Sequence, residues 1–232
     1  MLKALLTDID GTITNSSRRL DTEAVELIRS LADQGIIVVL ASGNAPCFME
    51  ALCKMIGTQG SFIAENGGVF RVGYAGKLHV QGDQAEVLRA LELLQDHYRK
   101  EGMELELFSP TYRFADLAFA RTVPVEEVRS ILRDQPVQVL DTGYAIHLQS
   151  KGINKGTALV ALAPELGLVP ADFFAIGDSL NDIEMLRTAG IGAAVANAHP
   201  AIKAGAQYTA EKEYGKGFVE AIKKYYPYFL AR

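Results

Sequence analysis

The sequence predicts a doubly wound, mainly parallel α/β core with an inserted α+β domain. Three observations carry this. Apolar strands alternate with amphipathic helices from residue 2 to residue 68 and again after residue 152, an order that implies a parallel sheet with right-handed crossovers. Between about 82 and 152 the alternation gives way to strands joined by short turns, the pattern of an antiparallel sheet with helices on one face. Short acidic or polar motifs stand just past the apolar strands, where an open parallel sheet collects ligands. At 232 residues and 49% hydrophobic content, the chain can bury one large core or two small ones. The expected division is a core of 1–81 with 153–232 and an insert of 82–152.

The opening strand begins at Leu2, with Lys3 its one charge, and ends in Leu5-Leu6-Thr7-Asp8-Ile9-Asp10-Gly11-Thr12. Asp8 and Asp10 leave the same side if the strand continues, and Gly11 lets the backbone turn. Two bare carboxylates about 5 Å apart repel by roughly 3 kcal/mol at an effective dielectric near 20, so a cation is expected between them. Asp21 is a fair N-cap for a helix carrying Val25, Ile28, Leu31 and Ala32, which Gly35 ends. Ile36–Leu40 is a second strand, followed by Ala41-Ser42-Gly43-Asn44 and a helix opened near Pro46. Ser61–Ala64 is a third, ending at Glu65-Asn66-Gly67-Gly68.

Val69–Val72 and Lys77–Val80 read as a hairpin. A helix at 83–100, strands at 103–108 and 113–120, a helix at 124–134 and strands at 137–141 and 144–149 follow. The alternating pattern then resumes with a helix at 154–167 and a strand at 173–176 that breaks at Gly177-Asp178-Ser179-Leu180-Asn181-Asp182. A last clear strand at 191–195 and a helix near 216–226 complete the chain.

The formal net charge of −5, without a long basic run, argues against nucleic acid as a partner. No apolar stretch reaches membrane-spanning length. The N-terminus enters a strand without a basic region and cleavage site. Cys47 and Cys53 lie about 9 Å apart along a helix axis, too far to bridge, and point to a reducing cytoplasm. The four histidines show no zinc-ligand spacing.

Asp8, Asp10, Ser42, Asp178 and Asp182 all follow strand C-termini, so they can converge although far apart in sequence. Four carboxylates with one lysine make a poor structural core and a good magnesium site, because magnesium prefers hard oxygen ligands. Asp8, Asp178 and Asp182 with a backbone carbonyl supply such ligands, and Asp10 completes the acidic set. A helix start explains one of Asp178 and Asp182, not both. Ser42 and Gly43 precede a helix N-terminus that favours an anion, and Lys155 offers a compact positive charge to the same phosphate.

In these motifs the chain resembles the haloacid dehalogenase superfamily. Asp8-Ile9-Asp10-Gly11-Thr12, Ser42, Lys155 within Asn154-Lys155-Gly156, and Gly177–Asp182 follow its order and contexts over the whole chain. Thirty-one residues (11–41) separate Asp10 from Ser42, too few for a cap there, so the insertion between Ser42 and Lys155 resembles a type II cap. Glu65-Asn66-Gly67-Gly68 is similar to the same branch. The short chain, Ser42-Gly43-Asn44 and Gly143-Tyr144-Ala145-Ile146-His147 look most like the archaeal-type phosphoglycolate phosphatases.

The resemblance implies a Rossmann-like core and a magnesium-dependent phosphomonoester hydrolase. Asp8 is then the nucleophile that forms an aspartyl-phosphate, and Asp10 is the acid for the leaving oxygen and the base for water. Ser42, Gly43 and Lys155 hold the phosphoryl group. A haloalkanoate dehalogenase has no use for Asp10 or for magnesium. A phosphomutase keeps the same motifs, and a sugar-phosphate sensor is the non-enzyme alternative. A phospho-aspartate receiver would be about half this length. The expected partner is a small phosphorylated metabolite such as 2-phosphoglycolate, with the protein a monomer or homodimer. Arg113 is the preferred contact for a substrate carboxylate, with Arg121 and His147 behind it. Glu65 and Asn66 are expected to fix loops rather than touch phosphate.

Overall fold

The computed structural model describes residues 1–230. They form two compact units, one comprising Met1–His79 and the chain from Asn154 onward, the other Val80–Ile153.

In the first unit, strand β1 (Ala4–Asp8) leads through helix α1 (Thr22–Asp33) to β2 (Ile37–Ala41), through α2 (Pro46–Ile56) to β3 (Ser61–Ala64), and on to β4 (Val69–Arg71); β5 (His79–Val80) follows at the boundary of the two units. The second unit holds α3 (Gln84–Lys100), β6 (Asp116–Ala120), α4 (Val125–Ile131), β7 (Val137–Asp141) and β8 (Ala145–Ser150). The chain returns to the first with α5 (Lys155–Glu165), β9 (Phe173–Gly177), α6 (Ile183–Thr188), β10 (Ile191–Ala194), α7 (Pro200–Gly205), β11 (Tyr208–Thr209) and α8 (Tyr214–Leu230).

The large sheet has the order β11-β10-β9-β1-β2-β3-β4-β5. Every pair from β11 to β3 is parallel, and β4 is antiparallel to β3. The expected hairpin at 69–80 therefore extends the edge of this sheet, where His79 stacks on Phe70 at 4.6 Å between ring centroids. From β1 the chain winds outward to β2 and β3, then crosses to β9 and winds the other way, so the order reverses at β1. Ala4, Leu5 and Leu6 are fully buried there, as a strand covered on both faces requires. Helix α1 starts where the Asp21 side chain accepts from the N–H groups of Glu23 and Ala24, a cap whose loss costs about 1 kcal/mol. It buries Ala24, Ile28 and Leu31 completely.

In the second unit, β6-β8-β7 form an antiparallel three-stranded sheet. Alternation sends Leu117, Phe119, Ile146 and Leu148 into a core shared with α3 and α4, including Val87, Leu94 and Val128. Two expectations change here. Residues 103–108 do not form a strand: the segment makes one isolated bridge, Leu107 to Phe119, and Ser109 in a left-handed conformation (φ 51°) turns it away before Pro110. The strand expected from residue 113 starts at Asp116, so Arg113 precedes the sheet. Farther on, α7 and β11 lie between the last expected strand and the C-terminal helix, a stretch to which the sequence assigned no element. Among the described residues no helix is long and apolar enough to cross a membrane.

Candidate active site

Asp8 closes β1, Ser42 follows β2, Asp178 follows β9 and Lys155 opens α5, so the order reversal at β1 gathers four distant segments of the first unit. Lys155 is fully buried. Its Nζ donates to Asp8 Oδ1 and to Asp182 Oδ1, each at 2.6 Å. The lysine is held there by helix α5, whose N-cap Asn154 accepts from the Thr157 N–H while the Thr157 hydroxyl bonds back to the Asn154 N–H. Asp182 Oδ2 accepts from the backbone N–H groups of Asp178 and Ser179 at 3.1 and 3.0 Å. Both Asp182 oxygens are thus engaged with protein donors.

Asp178 Oδ1 accepts from the Thr12 hydroxyl at 2.9 Å and its Oδ2 from the Ser179 hydroxyl at 3.1 Å. Gly11 has φ +91°, and a Cβ there would lie 2.4 Å from Asp178 Oδ2, so only glycine lets the turn after β1 approach this carboxylate. Asp8, Asp178 and Asp182 each offer a carboxylate oxygen within 4.8 Å of the others.

The electrostatics follow from burial. Desolvation pushes the Asp8 carboxyl well above the ordinary range, with Asp182 and Asp178 adding to the rise and Lys155 opposing it. Burial, then Asp182, raises Asp178 to about 6 against the hydrogen bonds from Thr12 and Ser179. Burial works against the Lys155 charge, but Asp182 and Asp8 outweigh it and raise its pKa, so it stays an ammonium. With all three carboxylates ionised, the set and its one ammonium carry a formal charge of −2, and the raised Asp8 and Asp178 values reflect the cost of that state without a further cation. That charge and the all-oxygen donor set fit a divalent hard cation such as Mg2+.

Asp10 stands apart from this triad. Strand β1 ends at Asp8, and the N–H groups of Thr12 and Ile13 turn back onto the Ile9 carbonyl. The alternation that would place Asp10 beside Asp8 stops, and the Asp10 carboxylate is exposed instead. Its Oδ2 lies 3.5 Å from Asn44 Nδ2. Asn44 also donates through Nδ2 and its backbone N–H to Ser42 Oγ, at 2.9 and 3.1 Å. With those bonds accepted, the Ser42 hydroxyl keeps its own hydrogen to donate.

In the second unit, Arg113 does not present an open guanidinium. It is buried, donates through Nε to the Phe108 carbonyl at 3.0 Å, and forms an ion pair with fully buried Asp116. His147 Nδ1 meets the other Asp116 oxygen at 2.9 Å. Burial alone would raise the Asp116 pKa, but His147 and then Arg113 hold it below the ordinary 3.8. The Arg113 guanidinium is therefore already engaged by Asp116, where the sequence expected it to stand open to a substrate carboxylate. Exposed Arg121 pairs with Asp141 through Nε at 3.0 Å.

Thr12, Asn44 and Asp116 are contacts the sequence reading passed over. Thr12 and Asn44 stood inside the quoted motifs. The signal for Asp116 was an acid at the head of the apolar run Leu117-Ala118-Phe119, where only a paired carboxylate is tolerated.

A family model described as haloacid dehalogenase-like hydrolase matches residues 5–112 and 118–222. The chain is 58% identical to a phosphoglycolate phosphatase of Methanoculleus marisnigri and 49% identical to one of Methanospirillum hungatei, with all of each protein covered in both comparisons. A crystal structure from Thermoplasma acidophilum superposes with a TM-score of 0.87 at 28% identity, over 97% of this chain and 99% of that one. Motif order, the sheet that gathers the motifs and these full-length similarities agree: the chain belongs to the haloacid dehalogenase-like hydrolase family.

Proposed function

We propose that this chain is a magnesium-dependent phosphomonoester hydrolase that works through a phosphorylated Asp8, and that its substrate is 2-phosphoglycolate, cleaved to glycolate and phosphate. The observation that carries the reading is the set of Asp8, half-buried Asp178 and Asp182 around the buried Lys155, with a formal charge of −2 when all three acids are ionised. The archaeal relatives support the substrate.

Asp8, Asp178 and Asp182 would hold the cation, Asp182 chiefly through its charge because both its oxygens already accept protein hydrogen bonds. Magnesium, when bound, would stabilise the ionised carboxylates and the charge of the transferring phosphoryl group. Lys155 orients Asp8 through Oδ1, which leaves Oδ2 to attack phosphorus. As the Asp8–phosphorus bond forms, the bond to the leaving oxygen breaks and Asp10 gives that oxygen its proton. Water then attacks the phosphoryl group, Asp10 takes the water proton, and the Asp8–phosphorus bond breaks. The Ser42 hydroxyl and the backbone N–H of Gly43 would donate to the phosphoryl oxygens, positioning that accounts for most catalysis of this class.

The test is kcat/KM for a panel of small phosphoesters, with magnesium and with excess chelator. Phosphoglycolate is expected to lead the panel, and chelation to abolish every rate. Turnover that survives chelation would remove the metal, and a preference for larger sugar phosphates would remove the substrate assignment.

A further inference from the structure

The loop after β3 carries an unusual backbone. Glu65, Asn66 and Gly67 have φ of 51°, 53° and 103°, three successive residues on the left-handed side. Glu65 and Asn66 are also buried, 0% and 1% exposed. Residues with a Cβ pay for that conformation and keep it only where the surroundings impose it.

Here the surroundings are the other phosphate-handling segments of the same unit. The Asn66 N–H donates to the Ser42 carbonyl at 3.1 Å, and the Glu65 N–H to the Asn44 carbonyl at 3.0 Å. The Asn66 amide fills the space beside Gly43, where a Cβ would come within 2.9 Å of Oδ1. Asn66 Oδ1 accepts from Asn181 Nδ2 at 2.8 Å, which ties it to the turn carrying Asp178 and Asp182. A Cβ on Gly67 would fall 2.2 Å from the carbonyl oxygen of Asn154, the residue that caps the helix beginning with Lys155. One strained loop thus touches the segments that carry Ser42, Lys155 and Asp182.

We propose that Asn66 is a positioning residue: it fixes the Ser42–Gly43 segment against the Asp178–Asp182 turn without touching substrate. The inference rests on the phosphatase reading. Because Asn66 acts on the end of the site that holds the phosphoryl group, its loss should slow every phosphoester alike and act on kcat.

Asn66→Gly is the informative variant, since glycine adopts the same φ without strain and removes only the amide. A misplacement on the order of 1 Å costs about 10²-fold in rate. Asn66→Gly is therefore expected to lower kcat by about tenfold to 10²-fold on both phosphoglycolate and nitrophenyl phosphate, with little change in KM. Asn181→Ala removes the same contact from its other side and should give the same uniform loss, which keeps the test open if Asn66→Gly folds poorly. The double variant should be no slower than the slower single one. Wild-type kcat in folded Asn66→Gly or Asn181→Ala, a loss confined to one substrate, or losses that multiply in the double variant would overturn the proposal. Wild-type turnover of nitrophenyl phosphate tests the phosphatase reading separately. If the wild type is inert, that reading fails and this inference falls with it; if the wild type is active and the variants are unaffected, only this inference fails.

Discussion

Lys155 is a fully buried ammonium paired with two carboxylates, Asp8 and Asp182, so its removal exposes the energetics of the site more directly than any other change. Breaking a buried pair by deleting one partner costs about 3–5 kcal/mol, because the other charge is left without compensation. Lys155→Met keeps the volume and should lose that amount in urea unfolding at pH 7. Without the ammonium that opposes its rise, Asp8 binds its proton still more tightly in the folded state than in the unfolded one. Stability then rises as pH falls, and the gap to wild type should narrow at pH 5. A loss below about 1 kcal/mol, or one that does not change with pH, would contradict the buried pairing. The sequence made Lys155 a candidate through its place at a helix start beside the acidic motifs; taken as a single residue it read as a solvated surface lysine. What the sequence did not carry was the premise for Asp10. Alternation holds only while a strand lasts, and β1 ends two residues earlier.

At the scale of elements, the three-stranded sheet of the second unit is the informative case. Its helix-facing residues were legible from their period of two, because Leu117, Phe119, Ile146 and Leu148 are apolar and alternate. The Arg113–Asp116–His147 set was not legible, because pairing across β6 and β8 depends on register, which no single strand records. The segment 103–108 alternates as a strand does, yet the left-handed turn at Ser109 takes it out of the ladder. Strand β11 spans two residues, too short to show any period. The ionic set makes a prediction at this scale. The Asp116 carboxyl is held below its ordinary 3.8, so its contribution is present above that value and is lost as pH falls through the folded-state value. Asp116→Asn leaves buried Arg113 without its anion and should speed amide hydrogen exchange in β6 and β8 at pH 7, by the equivalent of about 3 kcal/mol or more. Wild type and variant should converge as pH falls below about 3.8. A gap that stays constant across that range would assign the effect to packing instead.

For the whole molecule, the fold class and the site were legible for the same reason. In a doubly wound sheet the C-terminal ends of the parallel strands share one edge, so motifs placed after strands must meet wherever the order reverses. The sequence showed the motifs and the alternation, and the structure supplies the order, with β1 between β9 and β2 at the reversal. It also supplies the charge imbalance around Lys155 and the loop at Asn66, which depend on side-chain packing that periodicity does not encode. The central claim is that Asp8 carries the phosphoryl group between the two half-reactions. The direct measurement is to quench the enzyme during steady-state turnover of phosphoglycolate, reduce it with borohydride, which converts an aspartyl-phosphate to homoserine, and locate the product by tandem mass spectrometry. Homoserine at position 8, dependent on substrate and absent from Asp8→Asn, is the predicted result; turnover with no reducible carboxyl, or with homoserine at any other aspartate, would contradict it.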